Sequence, residues 1–252
     1  MTCGCISKDL SCRPSVSHDL HMHLVVARCM EPLDWLNKNE YSSVTIFEKC
    51  SQHSSNHQQQ TYLNWKKSGY YNDFNTITDN IGREAHAYLH YIVQKYEHIH
   101  DEDLYIFVQG DVQSEIKFPP LSVGNISQTL NLLSHKTLFA QLSGLFTRIE
   151  KNTNLPWIEK NKEIHVLRGQ FAVRGKSILR TNISSWKKYL KYSELHPAKS
   201  NYKNSQECAA DCQFETVWNI MFNCRVPQEC IPKSFIWGRH TYTSGILECY
   251  EA

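Results

Sequence analysis

The chain has 252 residues, of which 41% are hydrophobic and 21% are charged. This composition is typical of a globular protein and excludes an intrinsically disordered one. Its 27 basic and 25 acidic side chains give a formal net charge of +2, so charge provides no support for nucleic-acid binding. No apolar run reaches the roughly 18 residues of a transmembrane segment, and no signal peptide is recognisable, which favours a cytoplasmic location.

The ten cysteines lie near the two ends of the chain, and none lies between residues 51 and 207. No two of them form a C-x-x-C pair, so a zinc ribbon is not predicted. We expect buried thiols, or one or two disulfides, instead.

The first third of the chain predicts two strands, one helix and a polar insertion. Residues 23–28 and 43–47 are apolar and rich in β-branched side chains, which is typical of buried strands. Between them, residues 31–36 predict the opening of a helix with proline in its first turn. The polar residues 51–75 predict a long loop or insertion.

The middle of the chain predicts a helix, an acidic turn and then a buried strand. Apolar side chains recur at helical spacing over residues 85–97, and residues 101–103 form the acidic turn. The strand that follows stops at Gln109, Gly110 and Asp111. Ligands of open α/β sheets bind just beyond the carboxyl ends of strands, so Asp111 is a candidate for binding a metal, a ribose or a phosphate.

The second half of the chain has shorter patterns. Residues 169–173 are β-like, and short helices are predicted over residues 125–133, 136–145, 177–181, 184–195 and 214–222. The alternation of strands and helices in the first half predicts an α/β fold with a mostly parallel central sheet flanked by helices. We expect an irregular arm over residues 1–19 and a single domain over residues 20–252.

Several segments resemble, in order, the motifs of a family known only as a domain of unknown function. Its motifs are VVARYNEDLxWL, VTIYNKG, NxGREAHxYLxxI, FxQGD/H, GxQFAV and ExxW. The matching segments are residues 25–36, 44–49, 80–92, 107–111, 169–173 and 215–218.

The order of these motifs is also similar to that of the GT-A nucleotide-sugar transferases, with the closest analogy to their metal-independent branching enzymes. In those enzymes a first strand ends in a turn, a second packs against the nucleotide, and a later strand ends in an aspartate. The resemblance implies a single GT-A-like domain that transfers a sugar, with inversion, from a nucleotide-diphosphate donor to a glycan or other hydroxyl acceptor.

Inverting transfer needs a carboxylate that takes the acceptor proton and positive charge that carries the diphosphate. Glu215 is the candidate base, because it begins an apolar helix whose dipole favours an ionised carboxylate. Asp111 is expected to bind a sugar hydroxyl or a metal. A single aspartate binds Mn²⁺ or Mg²⁺ weakly, so we expect no cofactor or a weakly held ion.

The other candidate residues are expected to bind substrate. Arg28 and Glu31 follow the first strand and either contact the nucleotide or pair with each other. Gly82 permits close approach of a ligand to the helix that follows, and Arg83 can clamp a phosphate. The remaining candidates are Asn80, Glu84, His86, Gln109, Gly110 and Gln170, with Arg239 and His240 as basic residues for the leaving diphosphate.

Two other functions remain open from the sequence. His21 and His23 have the spacing of an H-x-H metal pair, which would suit a metal-dependent hydrolase. A non-catalytic ligand-binding domain with the same fold is the second alternative. Substitution of Asp111 and Glu215 separates these readings from that of a transferase.

Overall fold

A computed structural model describes residues 2–5, 20–29, 31–49, 71–76, 83–110, 130, 133, 137–142, 145–148, 164–166, 169–195, 214, 217–222, 241–242 and 247–250. The strands are β1 (Thr2–Cys5), β2 (Met22–Arg28), β3 (Ser43–Glu48), β4 (Asp73–Thr76), β5 (Leu104–Gln109), β6 (Thr137–Gln141), β7 (Leu145–Arg148), β8 (Ile164–Val166), β9 (Phe171–Arg174), β10 (Thr241–Tyr242) and β11 (Leu247–Tyr250). The α-helices are α1 (Arg83–Lys95), α2 (Gly175–Leu179), α3 (Ile183–Leu195) and α4 (Trp218–Met221).

Eight of the strands in this part of the chain form one open sheet in the order β1-β11-β6-β9-β5-β2-β3-β4. The half containing β4, β3, β2 and β5 is parallel, whereas β9, β6, β11 and β1 pair antiparallel with their neighbours. The fold is therefore α/β, but its sheet is mixed and not mostly parallel. Strands β10, β7 and β8 form a second, small antiparallel sheet.

The path of the chain creates a crevice at one position of the sheet. From β2 the chain moves outward through β3 to β4, and it then returns to β5 on the opposite side of β2. The strand order reverses between β2 and β5, and such a topological switch point is where open α/β sheets bind ligands.

The parallel strands are almost continuously apolar because both of their faces are covered. One core cluster packs the sheet against α1 and α3 and includes Tyr88, Phe107, Phe171 and Trp218. The second cluster lies on the opposite face and includes Leu33, Leu36 and Ile46. Each fully buried side chain of this size stabilises the fold by about 1.5–3 kcal/mol.

Helix α1 confirms the helix that the periodicity predicts over residues 85–97. Its apolar face is fully buried at Ala85, Tyr88, Leu89 and Ile92. Glu84 lies in its first turn and Lys95 in its last, where each charge is favourable to the helix dipole. The predicted helices at residues 177–181 and 184–195 are likewise confirmed, as α2 and α3.

Three predicted segments are wrong. Residues 31–36 form a turn, which is closed by a hydrogen bond from Leu36 N–H to the Leu33 carbonyl. This one turn already buries both leucines, so no helix is needed to bury them. The predicted helix at 136–145 is replaced by β6 and the start of β7, since every β6 side chain is buried between β9 and β11. The predicted irregular arm contains β1, which pairs with β11.

Other predicted elements fall mainly on residues that the structure does not describe. These include most of the insertion and of the helix predicted at residues 125–133. Part of the insertion is β4, and the last predicted helix is represented by Phe214 and α4.

Candidate functional site

The carboxyl ends of β2, β3 and β5 lie side by side at the switch point. Backbone hydrogen bonds join them beyond the last paired residues, from Gly110 N–H to the Ala27 carbonyl at 2.8 Å and from Lys49 N–H to the Arg28 carbonyl at 3.0 Å. The side chains of Arg28, Lys49 and Gln109 therefore share one edge of the sheet. The carboxyl ends of β2, β3 and β5 thus meet at one edge of the sheet.

Gly110, directly after β5, packs closely against the end of β2. A Cβ atom at this position would lie 2.7 Å from the Cβ of Arg28 and 2.9 Å from Oε2 of Glu31. The Trp35 Nε1–H donates to the Gly110 carbonyl at 3.0 Å, and the Glu31 carboxylate accepts a short hydrogen bond from Cys29 N–H. The turn after β2 therefore packs against Gly110, the residue that directly precedes Asp111 in the chain.

Replacing Gly110 with alanine is expected to destabilise the protein by about 1–3 kcal/mol, because neither the Arg28 backbone nor its Cβ can move freely. Urea unfolding would measure the loss. Trp35→Phe is the control, since it removes one hydrogen bond to the same residue and should cost about 1 kcal/mol. An alanine variant as stable as the wild type would show that the two strand ends are less closely packed.

Arg28 forms a buried ion pair with a residue that sequence reasoning missed. Its Nε lies 2.9 Å from Oε2 of Glu48 at the end of β3, and both side chains are fully buried. The sequence predicts for Arg28 a nucleotide contact or a pair with Glu31, and the pair with Glu48 is an interaction that it does not predict. In the sequence, Glu48 is recognisable only as a charged residue at the end of an apolar strand.

Two further candidates, Glu84 and Gln170, lie at the same edge of the sheet. Helix α1 precedes β5 and β9 is antiparallel to β5, so the start of α1 and the start of β9 both lie there. The Gln170 carbonyl accepts a hydrogen bond from Leu142 N–H at 2.9 Å. Glu84 contacts Gly169, whose missing Cβ would otherwise lie 2.8 Å from the Glu84 Cγ. Both candidate side chains are buried.

His86 lies on a different face of α1 from Glu84. Its ring packs against His90, and its Nε2 lies 3.7 Å from Oε1 of Glu194 in α3. Burial, helped by the positive charges of Lys49 and His90, lowers the pKa of His86 to about 4. Burial also lowers the pKa of His90, against the opposing effect of Glu194. His86 is therefore a neutral imidazole above about pH 4.

The histidines of the hydrolase alternative lie at the opposite, amino-terminal edge of the sheet. The two ring nitrogens of His23 are within hydrogen-bond distance of Ser43 Oγ at 2.7 Å and Asp103 Oδ2 at 3.0 Å. His21 Nδ1 lies 3.3 Å from the hydroxyl of Ser42. Because both His23 nitrogens have partners, this arrangement does not favour a metal site there. Among the residues that the structure describes, no three or more histidine, cysteine or acidic side chains are grouped to hold a metal ion.

Six predicted site residues lie outside the described part of the chain, namely Asn80, Gly82, Asp111, Glu215, Arg239 and His240. Of Arg83 only the backbone is described, at the first residue of α1. The structure therefore brings together Arg28, Glu31, Glu84, Gln109, Gly110 and Gln170 around one edge of the sheet.

Cys29, directly after β2, is disulfide-bonded, which agrees with the expectation that some cysteines are paired. Within the described ranges, no helix has the length and apolar character needed to cross a membrane.

No protein-family model matches the chain, and no curated protein matches its sequence.

Proposed function

We propose that this protein is a GT-A-like glycosyltransferase that moves a sugar, with inversion, from a nucleotide-diphosphate donor to a hydroxyl acceptor. The observation that carries the proposal is the switch point between β2 and β5, where polar side chains surround the ends of three parallel strands. The segments that carry the motif resemblance, residues 25–36, 44–49 and 107–111, include these same strand ends.

The proposed donor site uses the strand ends as a platform for the nucleotide. Gln109 is half-buried at the end of β5, and Gly110 after it accepts a hydrogen bond from Trp35. Asp111 then binds a hydroxyl of the ribose or the sugar. Arg28 stabilises this platform through its buried ion pair with Glu48.

The diphosphate and the acceptor are assigned to the neighbouring segments. Arg83 opens α1 at the same edge, where the helix start also favours an anion, and Arg239 and His240 supply further positive charge. Glu215 is the base for the acceptor hydroxyl. A divalent ion is not required in this scheme, and the one aspartate at the end of β5 would bind Mn²⁺ or Mg²⁺ weakly.

A thermal-shift screen with UDP, GDP and CMP, with and without Mn²⁺, tests the donor site. A nucleotide that binds only the folded state should stabilise the protein by about 2.7 kcal/mol at 100 times its Kd. The matched control is Gly110→Ala, in which the same nucleotide should stabilise less. If none of the three nucleotides raises the Tm, the donor hypothesis fails.

Turnover by variants separates the transferase from its alternatives. Asp111→Asn and Glu215→Gln should remain folded and lose transfer activity with any donor that binds. A hydrolase would instead lose activity on substitution of His21 and His23 and would require a metal. A binding domain would show a nucleotide-induced shift without turnover of any donor.

A further inference from the structure

Helix α3 turns one face to the core and the opposite face to solvent. Trp186 is fully buried, and its Nε1–H donates to the Ile178 carbonyl at 3.1 Å. Tyr189 packs against the same core cluster, which also contains the buried face of α1. At the start of the helix, the side-chain oxygen of Asn182 accepts a hydrogen bond from Ser185 N–H at 2.8 Å. These contacts fix the orientation of α3 and therefore which of its side chains face solvent.

The solvent face of α3 is basic. Lys187, Lys188 and Lys191 are all exposed. Residues three and four apart are neighbours on the surface of a helix, so Lys191 lies beside both of the other lysines. None of the three takes part in an ion pair of the described residues. The one acid of α3, Glu194, is directed at α1, where its Oε1 lies 3.7 Å from Nε2 of His86.

An exposed leucine lies on the same face of α3. Leu195 is 65% exposed and is, among the described residues, the one large apolar side chain that is exposed. It follows Lys191 by four residues and Lys188 by seven, a spacing that places all three side chains on one side of the helix. Every other apolar or aromatic side chain of α3 is at least partly buried. The solvent face therefore combines three positive charges with one apolar group.

The composition of this face favours one class of negatively charged partner. Protein interfaces are depleted in lysine and enriched in arginine and aromatic side chains. Nucleic-acid sites use arginine for phosphates and aromatic rings for bases, and the exposed side chains of α3 include neither. An anionic bilayer attracts lysines without specific geometry, and its interface also accepts an apolar side chain. Lysines around a single exposed leucine therefore fit a lipid surface best.

We propose that the solvent face of α3 binds the surface of an anionic membrane, with Lys187, Lys188 and Lys191 on the lipid headgroups and Leu195 inserted between them. The helix then lies in the plane of the membrane surface, and its opposite face stays packed on the core. Each lysine near such a surface strengthens binding about fivefold, so the three together contribute about 100-fold. Binding of this kind is peripheral and reversible. It is independent of the transferase activity proposed above.

Co-sedimentation with lipid vesicles tests the proposal. Vesicles of phosphatidylcholine with about 30% phosphatidylserine are compared with vesicles of phosphatidylcholine alone. We expect the wild type to sediment with the anionic vesicles only, and to be released in about 1 M NaCl, where the Debye length falls to about 3 Å. The triple variant Lys187→Gln, Lys188→Gln and Lys191→Gln should bind about 100-fold more weakly. Leu195→Ser should bind about tenfold more weakly and keep the preference for anionic lipid.

Two control variants make the test specific to the charge of this face. The triple variant Lys187→Arg, Lys188→Arg and Lys191→Arg keeps the three charges and should bind the anionic vesicles as the wild type does. Lys95→Gln removes a lysine from a different surface, where its Nζ lies 2.8 Å from Oδ2 of Asp73, and should also bind normally. Because the substituted side chains of α3 are exposed, the Tm of each α3 variant should stay within about 2 °C of the wild type.

Three results would overturn the proposal. The first is a wild-type protein that does not sediment with the anionic vesicles. The second is a lysine-to-glutamine triple variant that sediments as the wild type does. The third is binding that requires the three lysines but occurs with polyglutamate or duplex DNA and not with vesicles, which would assign this face to an acidic protein or a nucleic acid. Nucleotide binding plays no part in these measurements, so they are decided separately from the donor hypothesis.

Discussion

Replacing Glu48 with glutamine is expected to lower the free energy of unfolding by about 3–5 kcal/mol, because the Arg28 guanidinium then remains buried without its carboxylate. The two groups are 2.9 Å apart and neither side chain is exposed. Desolvation makes a buried charge costly, and only a close opposite charge offsets that cost. Urea unfolding followed by tryptophan fluorescence would measure the difference.

Two further variants make this prediction specific to the buried pair. Asp73→Asn breaks the partly exposed pair of Asp73 with Lys95, which has a comparable distance of 2.8 Å, and should cost less than about 1 kcal/mol. The double variant Arg28→Met and Glu48→Leu removes both charges and should recover most of the loss. A cost below 1 kcal/mol for Glu48→Gln would contradict the buried pair.

The stability of the protein is expected to fall by about 3 kcal/mol between pH 6.5 and pH 4 because of His86 alone. Burial, with Lys49 and His90 nearby, lowers the pKa of His86 from 6.5 to about 4. In this range the unfolded chain binds a proton at His86 that the folded protein does not. Its contribution is therefore present in full above pH 6.5 and is lost as the pH falls to about 4.

His86→Leu tests this pH dependence, because leucine does not titrate. The variant should show a stability profile flatter than that of the wild type over the same pH range. At pH 7 it should be nearly as stable, since neither ring nitrogen of His86 has a hydrogen bond within the described structure. His98→Leu, at an exposed position after α1, is the control. Equal slopes for wild type and His86→Leu would show that His86 is accessible to protons.

The lowered pKa of His90 adds to this effect in the same direction. Glu194 of α3 faces both histidines and opposes the shift at His90, and its removal should make the pH dependence steeper. The charged groups that act on this pair are thus Lys49, directly after β3, and Glu194 of α3.

The local elements of the parallel half could be read from the sequence. Strands β2, β3 and β5 are buried on both faces and therefore appear as apolar runs, and α1 shows its buried face as a helical repeat. The local sequence of β6 predicts a helix because its residues fit either element. Its pairing with β9 and β11 makes this segment a strand.

The sequence by itself determined where β2, β3 and β5 end, and hence that Gln109 and Gly110 lie at an edge of the sheet. Only the tertiary structure decided the neighbours of that edge. Arg28 pairs with Glu48, and Glu84 lies against Gly169, because strand order and helix packing bring together segments far apart in the chain. The local sequence determines the hydrophobic period of an element and the positions where it ends. Which residues become neighbours across the sheet depends on the topology of the fold.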